Sequence, residues 1–264
     1  MHYQNKTILI TGASSGIGES FAFELAKRGA NLILVARSGD KLKQMAADIT
    51  AKHKVTVNTL AIDLQQSHAG QAVKQAVDKL KVTVDVLINN AGFGTHGPFV
   101  KLDAAREQDE IALNVSALTD LTHAFLPAMV AQQSGAVINV ASTASFQPTP
   151  YMAVYGATKA YVLSLTEALA EENRKLGVKF IAVCPGPVET NFFNATGNPK
   201  LRQSLGTVPV LTPEEVVISS LDALAVGKVV FVPGIVNKLG AQSAAFIPRK
   251  LMTRISGKMI GGKR

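Results

Sequence analysis

The stretch "TILITGASSGIG" at residues 7–18 decides how the chain folds. Its first four residues, 7–10, are β-branched or aliphatic and read as a buried strand. The chain then turns through Gly12, Gly16 and Gly18. Glycine permits a tight turn and lets backbone N–H groups approach a pyrophosphate. A helix starting near Ser15 would aim its positive end at the same point. The plainer reading is a turn that only packs helix on strand. Its place directly after the first strand favours phosphate binding.

Working outward, six more apolar runs follow at 31–36, 55–62, 84–89, 135–142, 178–183 and 228–232. Their bulky residues are continuous more than alternating, as in strands covered on both faces. Helix-length segments separate them, among them 17–29, 39–53, 66–80, 107–132 and 152–176. This alternation predicts an α/β fold: a doubly wound parallel sheet of Rossmann type with helices on both faces. Such a sheet binds ligands at the carboxyl ends of its strands, near the switch in strand order. We read 1–236 as one dinucleotide-binding and catalytic domain and 237–264 as a basic amphipathic tail.

Composition narrows the function classes. Of 264 residues, 47% are hydrophobic and 17% charged, which suits a well-buried core. The net charge of +8 is confined to one end. Residues 1–222 hold 19 basic and 19 acidic side chains, while 223–264 hold eight basic ones and no acid. A nucleic-acid-binding fold therefore has no support. The single Cys184 excludes an internal disulfide and fits a reducing compartment. The five histidines show no metal-ligand spacing, so no metal is expected. The first residues lack a signal-peptide run, and no window approaches a membrane span. The expected location is cytoplasmic.

Other motifs fall at the same sheet edge. Ala36 ends the second run where a carboxylate would hold the ribose hydroxyl of NAD, and Arg37 follows. A guanidinium can clamp a 2′-phosphate, so NADP(H) is favoured over NAD(H). The third run ends in "AIDL", placing Asp63 and Leu64 at this edge. Asp63 can accept a bond from adenine or simply form a turn. The fourth ends in "INNAG" (88–92), a tight passage through Asn90, Ala91 and Gly92 with Asn89 bridging strands. Within "YMAVYGATKA", Tyr155 precedes Lys159 by four residues, about one helical turn.

With "TGASSGIG", "NNAG", "YGATK" and "PGPVET" in this order, residues 5–235 resemble the short-chain dehydrogenase/reductase family, in its shorter, non-extended branch. The resemblance implies a nicotinamide cofactor and a Ser-Tyr-Lys centre assisted by Asn. It assigns these roles to Ser142, Tyr155, Lys159 and Asn114. The implied cofactor contacts are Gly12, Ser14, Ser15, Gly16, Ile17, Gly18, Arg37, Asp63, Leu64, Asn90, Ala91, Gly92, Tyr155, Lys159, Pro185, Gly186, Val188 and Thr190. Relatives that use NADP often carry a base inside the glycine loop. Here that place is Ser14-Ser15, so Arg37 carries the 2′-phosphate recognition.

The implied chemistry is carbonyl reduction or its reverse. A free tyrosine has a pKa near ~10, and a neighbouring ammonium would lower it. Tyr155 would give its proton to the carbonyl oxygen, Ser142 would hold that oxygen, and Lys159 would also bind the ribose. Asn114 would bend its helix and hold a water. The alternatives are a cofactor-binding sensor without turnover and a membrane-surface scaffold that uses the tail. The segment 191–212, with Phe192 and Phe193, reads as a lid or as an ordered pair of short helices over an apolar substrate. Phe93, His96 and Phe146 are expected beside it. Apolar surface on 107–132 and 152–176 predicts a homodimer or homotetramer. In the tail, Ile247, Leu251, Ile255 and Met259 form one helical stripe, with Lys250, Arg254 and Lys258 beside it. That stripe is expected either to dock on protein or to bind anionic membrane.

Overall fold

Each of the seven apolar runs contains a strand in the computed structural model, which describes residues 2–198, 201–204, 208–244 and 246–261. The strands are β1 (Thr7–Thr11), β2 (Asn31–Ala36), β3 (Val57–Ala61), β4 (Val86–Asn89), β5 (Gly135–Val140), β6 (Val178–Val183) and β7 (Val230–Phe231). They form one sheet in the order β3-β2-β1-β4-β5-β6-β7, with every neighbouring pair parallel. The chain moves from β1 through β2 to β3, then returns to place β4 on the other side of β1. That reversal opens a crevice at the carboxyl ends of β1 and β4.

Successive strand residues sort onto opposite faces. Ile8, Ile10, Leu32, Leu34, Val86 and Ile88 pack on one side with Phe21, Leu25, Leu42, Val216, Val217 and Leu221. These helix residues belong to α1 (Gly16–Lys27), α2 (Gly39–His53) and α9 (Pro213–Ala225). Leu9, Ile33, Val35, Leu87 and Val137 pack on the other with Val73, Val77, Leu121, Phe125 and Met129. Those come from α3 (Ala69–Lys79) and α5 (Leu118–Ala131). Each large aliphatic side chain removed from water contributes about 1.5–3 kcal/mol. Burial on both faces explains why the strands read as continuous apolar runs.

The segment 107–132 is not one helix. It divides into α4 (Ala104–Ile111), a π-helical turn at Ala112–Ala117, and α5. The Asn114 side chain fixes this turn by accepting from the Phe93 N–H and donating to the Phe93 carbonyl. The remaining helices are α6 (Ala153–Glu172), α7 (Phe192–Ala195), α8 (Leu201–Ser204), α10 (Ile235–Ser243) and α11 (Arg249–Ile260). Helix α9 begins with a capping box in which Thr212 and Glu215 satisfy each other's backbone N–H, and Pro213 follows the cap.

Candidate active site

At the end of β1 the chain turns at Gly12, whose φ is +61°. A Cβ there would lie 2.8 Å from Ala91 Cα, and one on Gly18 would lie 2.3 Å from the Gly12 carbonyl oxygen. No side chain fits between these segments, so backbone N–H groups line the floor of the crevice. Asn90 clamps the crossing. Its backbone N–H and that of Ala91 donate to Thr11 Oγ1 at 2.9 and 3.0 Å, and its amide donates to the Thr11 carbonyl at 2.9 Å. Asn89 bridges strands as expected, donating to Asn139 Oδ1 at 2.9 Å.

The crevice continues into a cleft of about 530 Å³. Ser14, Ser15, Gly16 and Ile17 form its floor beside Gly12, Asn90, Ala91 and Gly92, while Pro185, Gly186, Val188 and Thr190 form the opposite lip. Arg37, Asp63 and Leu64 close one end. Ser142, Tyr155 and Lys159 lie toward the other, with Phe93, Met152, Phe192, Phe193 and Met259. Gly18 and Asn114 are not part of the wall: Gly18 packs beneath the glycine turn, and Asn114 lies behind Gly92 and Phe93. His96 and Phe146 do not line it either. His96 Nε2 donates to the Ile260 carbonyl at 3.0 Å, and Phe146 packs on a separate apolar cluster.

Helix α6 presents Tyr155 and Lys159 one turn apart. Lys159 Nζ donates to the Val140 carbonyl at 2.8 Å and lies 5.8 Å from the Tyr155 ring centre. Ser142 ends the extended chain after β5, and its hydroxyl accepts from the Ala144 N–H. Asn114 Nδ2 also donates to Thr158 Oγ1, tying the π turn to α6.

The electrostatics differ from the expected lowering of the tyrosine pKa. Burial pushes the Tyr155 phenol up to about 12, with a Ser142 hydrogen bond opposing this and the Glu110 charge adding to it. Burial pulls Lys159 down to about 8, against the charges of Glu110 and Cys184. Burial is the leading cause of both shifts, and the Lys159 ammonium donates to the Val140 carbonyl.

Sequence reasoning missed a buried carboxyl pair beside this centre. Glu107 and Glu110 are both buried on α4, and the Thr95 hydroxyl lies within bonding distance of each. One hydroxyl carries one proton, so it cannot donate to two carboxylates. One carboxyl must be protonated and donate to Thr95. Burial, opposed by Thr95 and reinforced by Glu107, raises Glu110 to about 7, so it takes up a proton near neutral pH and can supply that donor. The available signal was position: Glu110 stands four residues, about one turn, before Asn114.

Toward the far end, Arg37 is exposed, lines the cleft, and donates from Nη1 to Gln65 Oε1 at 3.4 Å. Asp63 accepts the Gln65 N–H at 3.1 Å, so it forms a turn. The segment 191–212 holds α7 and α8, and Phe192 meets the Tyr155 ring at 5.2 Å between centres. Residues 199, 200 and 205–207 of that segment lie outside the described residues.

The sequence model of the family described as short chain dehydrogenase matches residues 6–200. The chain belongs to that family. It is an oxidoreductase of the type that interconverts CH–OH and C=O with a nicotinamide cofactor. It is 32% identical over 222 residues to the very-long-chain 3-oxoacyl-CoA reductase of Bos taurus, an alignment covering 83% of this chain and 68% of that one. A short-chain dehydrogenase from Sphingobium yanoikuyae in complex with NADPH superposes with a TM-score of 0.81. The two are 34% identical, with 94% and 95% of the chains covered. The bulky-bulky ketone specific alcohol dehydrogenase from Comamonas testosteroni gives 0.76 at 31% identity, covering 91% and 93%. Among the described residues, no helix of this short-chain dehydrogenase is long and apolar enough to cross a membrane.

Proposed function

We propose that the protein reduces an apolar ketone or aldehyde to an alcohol with NADPH. The carrying observation is the convergence of Ser142, Tyr155 and Lys159 on one cleft, where Phe93, Met152, Phe192, Phe193 and Met259 stand with the polar Gln147, Thr149 and Asn191. Side chains such as Phe93, Met152, Phe192 and Phe193 offer dispersion and exclude water, but few polar contacts. Burial keeps the Tyr155 phenol protonated at neutral pH, the form that can donate to a carbonyl oxygen.

The glycine floor fits a pyrophosphate, because Gly12 and Gly18 leave no room there for a side chain. When bound, a nicotinamide dinucleotide supplies the hydride. Gly12, Ser14, Ser15, Gly16 and Ile17 would hold its phosphates, with Asn90, Ala91 and Gly92 alongside. Arg37 would meet the 2′-phosphate, supported by Ala36 at the end of β2 and by the NADPH in the Sphingobium yanoikuyae relative. Tyr155 gives its proton to the carbonyl oxygen, and Ser142 donates a hydrogen bond to the same oxygen as negative charge grows on it. Lys159 would hold the ribose hydroxyls and stabilise the phenolate left behind. Asn114 positions the 92–94 loop against α6. We also propose a homodimer or homotetramer.

Purified protein screened for NADPH oxidation against a panel of ketones and aldehydes tests this reading. Tyr155→Phe should lose turnover by ~10²-fold or more while retaining cofactor affinity. Undiminished hydride transfer in that variant overturns the assignment.

A further inference from the structure

The end of the chain carries a surface that the cleft does not explain. After residue 222 there are eight bases and no acid. Helices α10 and α11 pack through narrow faces. Asn237 is buried against Gly186, Met252 is buried, and Ser256 Oγ donates to the Pro148 carbonyl at 2.8 Å. Their other faces carry large exposed apolar groups. Ile235 is 71% exposed, Leu239 60%, Phe246 88% and Leu251 50%. Ile255 and Met259 continue the Leu251 row at four-residue spacing, and both are exposed. Lys250, Arg254 and Lys258 form the adjacent row, also exposed, and among the described residues none pairs with a carboxylate.

We propose that α10 and α11 form an interfacial surface that binds anionic lipid bilayers. An apolar row flanked by bases lets the aliphatic groups enter the acyl boundary while the charges remain among the headgroups. A second copy of this chain fits less well, because the same face on both copies would bring bases together with no acid from residues 223–264 to pair with them. The surface also reaches the catalytic cleft. Met259 belongs to the exposed row and lines the cleft with Ile260, so α11 is at once docking helix and cleft wall. The lipid-binding surface stands whatever the substrate is.

The test uses the full chain and vesicles of phosphatidylcholine, alone or mixed equally with phosphatidylglycerol. Sedimentation should show partitioning into the anionic vesicles at least tenfold above the neutral ones, since each base near an anionic surface contributes about fivefold. At about 1 M salt, where the screening length is about 3 Å, that excess should disappear. Lys250→Glu with Arg254→Glu, and separately Leu251→Gln, should each lower anionic binding about tenfold or more. Neither set touches the cleft, so reduction of a small soluble ketone should be unchanged. Circular dichroism confirms that the variants are folded. Equal partitioning into both vesicles, or binding retained in both variants, overturns the proposal. So does a light-scattering mass that falls on Leu251→Gln, which would make this face a contact between copies.

Discussion

Replacing Glu110 by glutamine should make the protein more stable near neutral pH and leave it unchanged in acid. Glu110 has its ordinary carboxyl value of 4.5 when unfolded and about 7 when folded. The folded form therefore holds the proton more tightly. Its contribution is fully present below 4.5 and is lost as the pH rises through about 7. At about 1.4 kcal/mol per pH unit the gap amounts to about 3 kcal/mol, of which relaxation around the buried charge leaves roughly 1–3 kcal/mol. Glutamine is nearly isosteric, and its amide N–H can donate to Thr95 Oγ1 as the protonated acid does. It reproduces the protonated state without the charge that forms above that range. Urea unfolding of both proteins across this range isolates the effect, because all other titrating groups cancel in the difference. The variant should match the parent below about pH 4.5 and exceed it by ~1–3 kcal/mol at about pH 8. Each kcal/mol should raise Tm by roughly 2–4 °C for a chain of this size. A variant less stable than the parent at the higher pH, or a constant difference across the range, would refute the claim that Glu110 is buried as the acid.

Three further outcomes follow from the site. Arg37→Ala should weaken NADPH binding by tenfold or more, from roughly 1.5–3 kcal/mol of charge-assisted bonding, and barely alter NADH binding; equal losses in fluorescence titration would make Arg37 structural. A Cβ at Gly94 would lie 2.8 Å from Tyr155 Cδ2 and 3.2 Å from Met152 Cε. Gly94→Ala should therefore displace the phenol and lower kcat on the order of 10²-fold with cofactor affinity nearly intact, as steady-state kinetics will show. Reductive kcat/KM should fall as the pH rises through about 8, where Lys159 loses its charge; a profile flat to the ordinary lysine range near ~10.4 counts against that role.

The sheet and the glycine turn were legible in the sequence because both follow from local rules. Buried parallel strands must be apolar throughout, and the Gly12 turn admits no Cβ. Tyr155 and Lys159 were legible because helical spacing alone brings them together. The π turn was legible only as the helix bend at Asn114 that the resemblance implied, since its cause is a pair of bonds from Asn114 to a loop 21 residues away. Glu107 and Glu110 went unremarked, because only the fold brings the Thr95 hydroxyl to both. In the tail, periodicity marked Leu251, Ile255 and Met259 as one stripe and left open whether it docks on protein or meets a membrane. The structure buries Met252 and Ser256 instead, with the serine hydroxyl donating to the Pro148 carbonyl. Residues 262–264 of that tail lie outside the described residues. The direction of the Tyr155 shift required knowing how deeply both partners are desolvated.

The π turn at Ala112–Ala117 also acts as a ratchet of chain length. A π turn holds about one residue more than the α turn it replaces. Deleting one residue there would restore an unbroken α-helix with both halves in place, and Asn114 would lose the wider turn that lets its side chain reach Phe93. Both halves are anchored. Asn114 is fastened to Phe93 on one side, and Leu121, Phe125 and Met129 are set in the core on the other. The place of Asn114 is therefore held by the count of residues between two anchors more than by the side chains within the turn. Substitutions at its exposed positions should be absorbed, whereas a one-residue change of length should remove the asparagine from the centre.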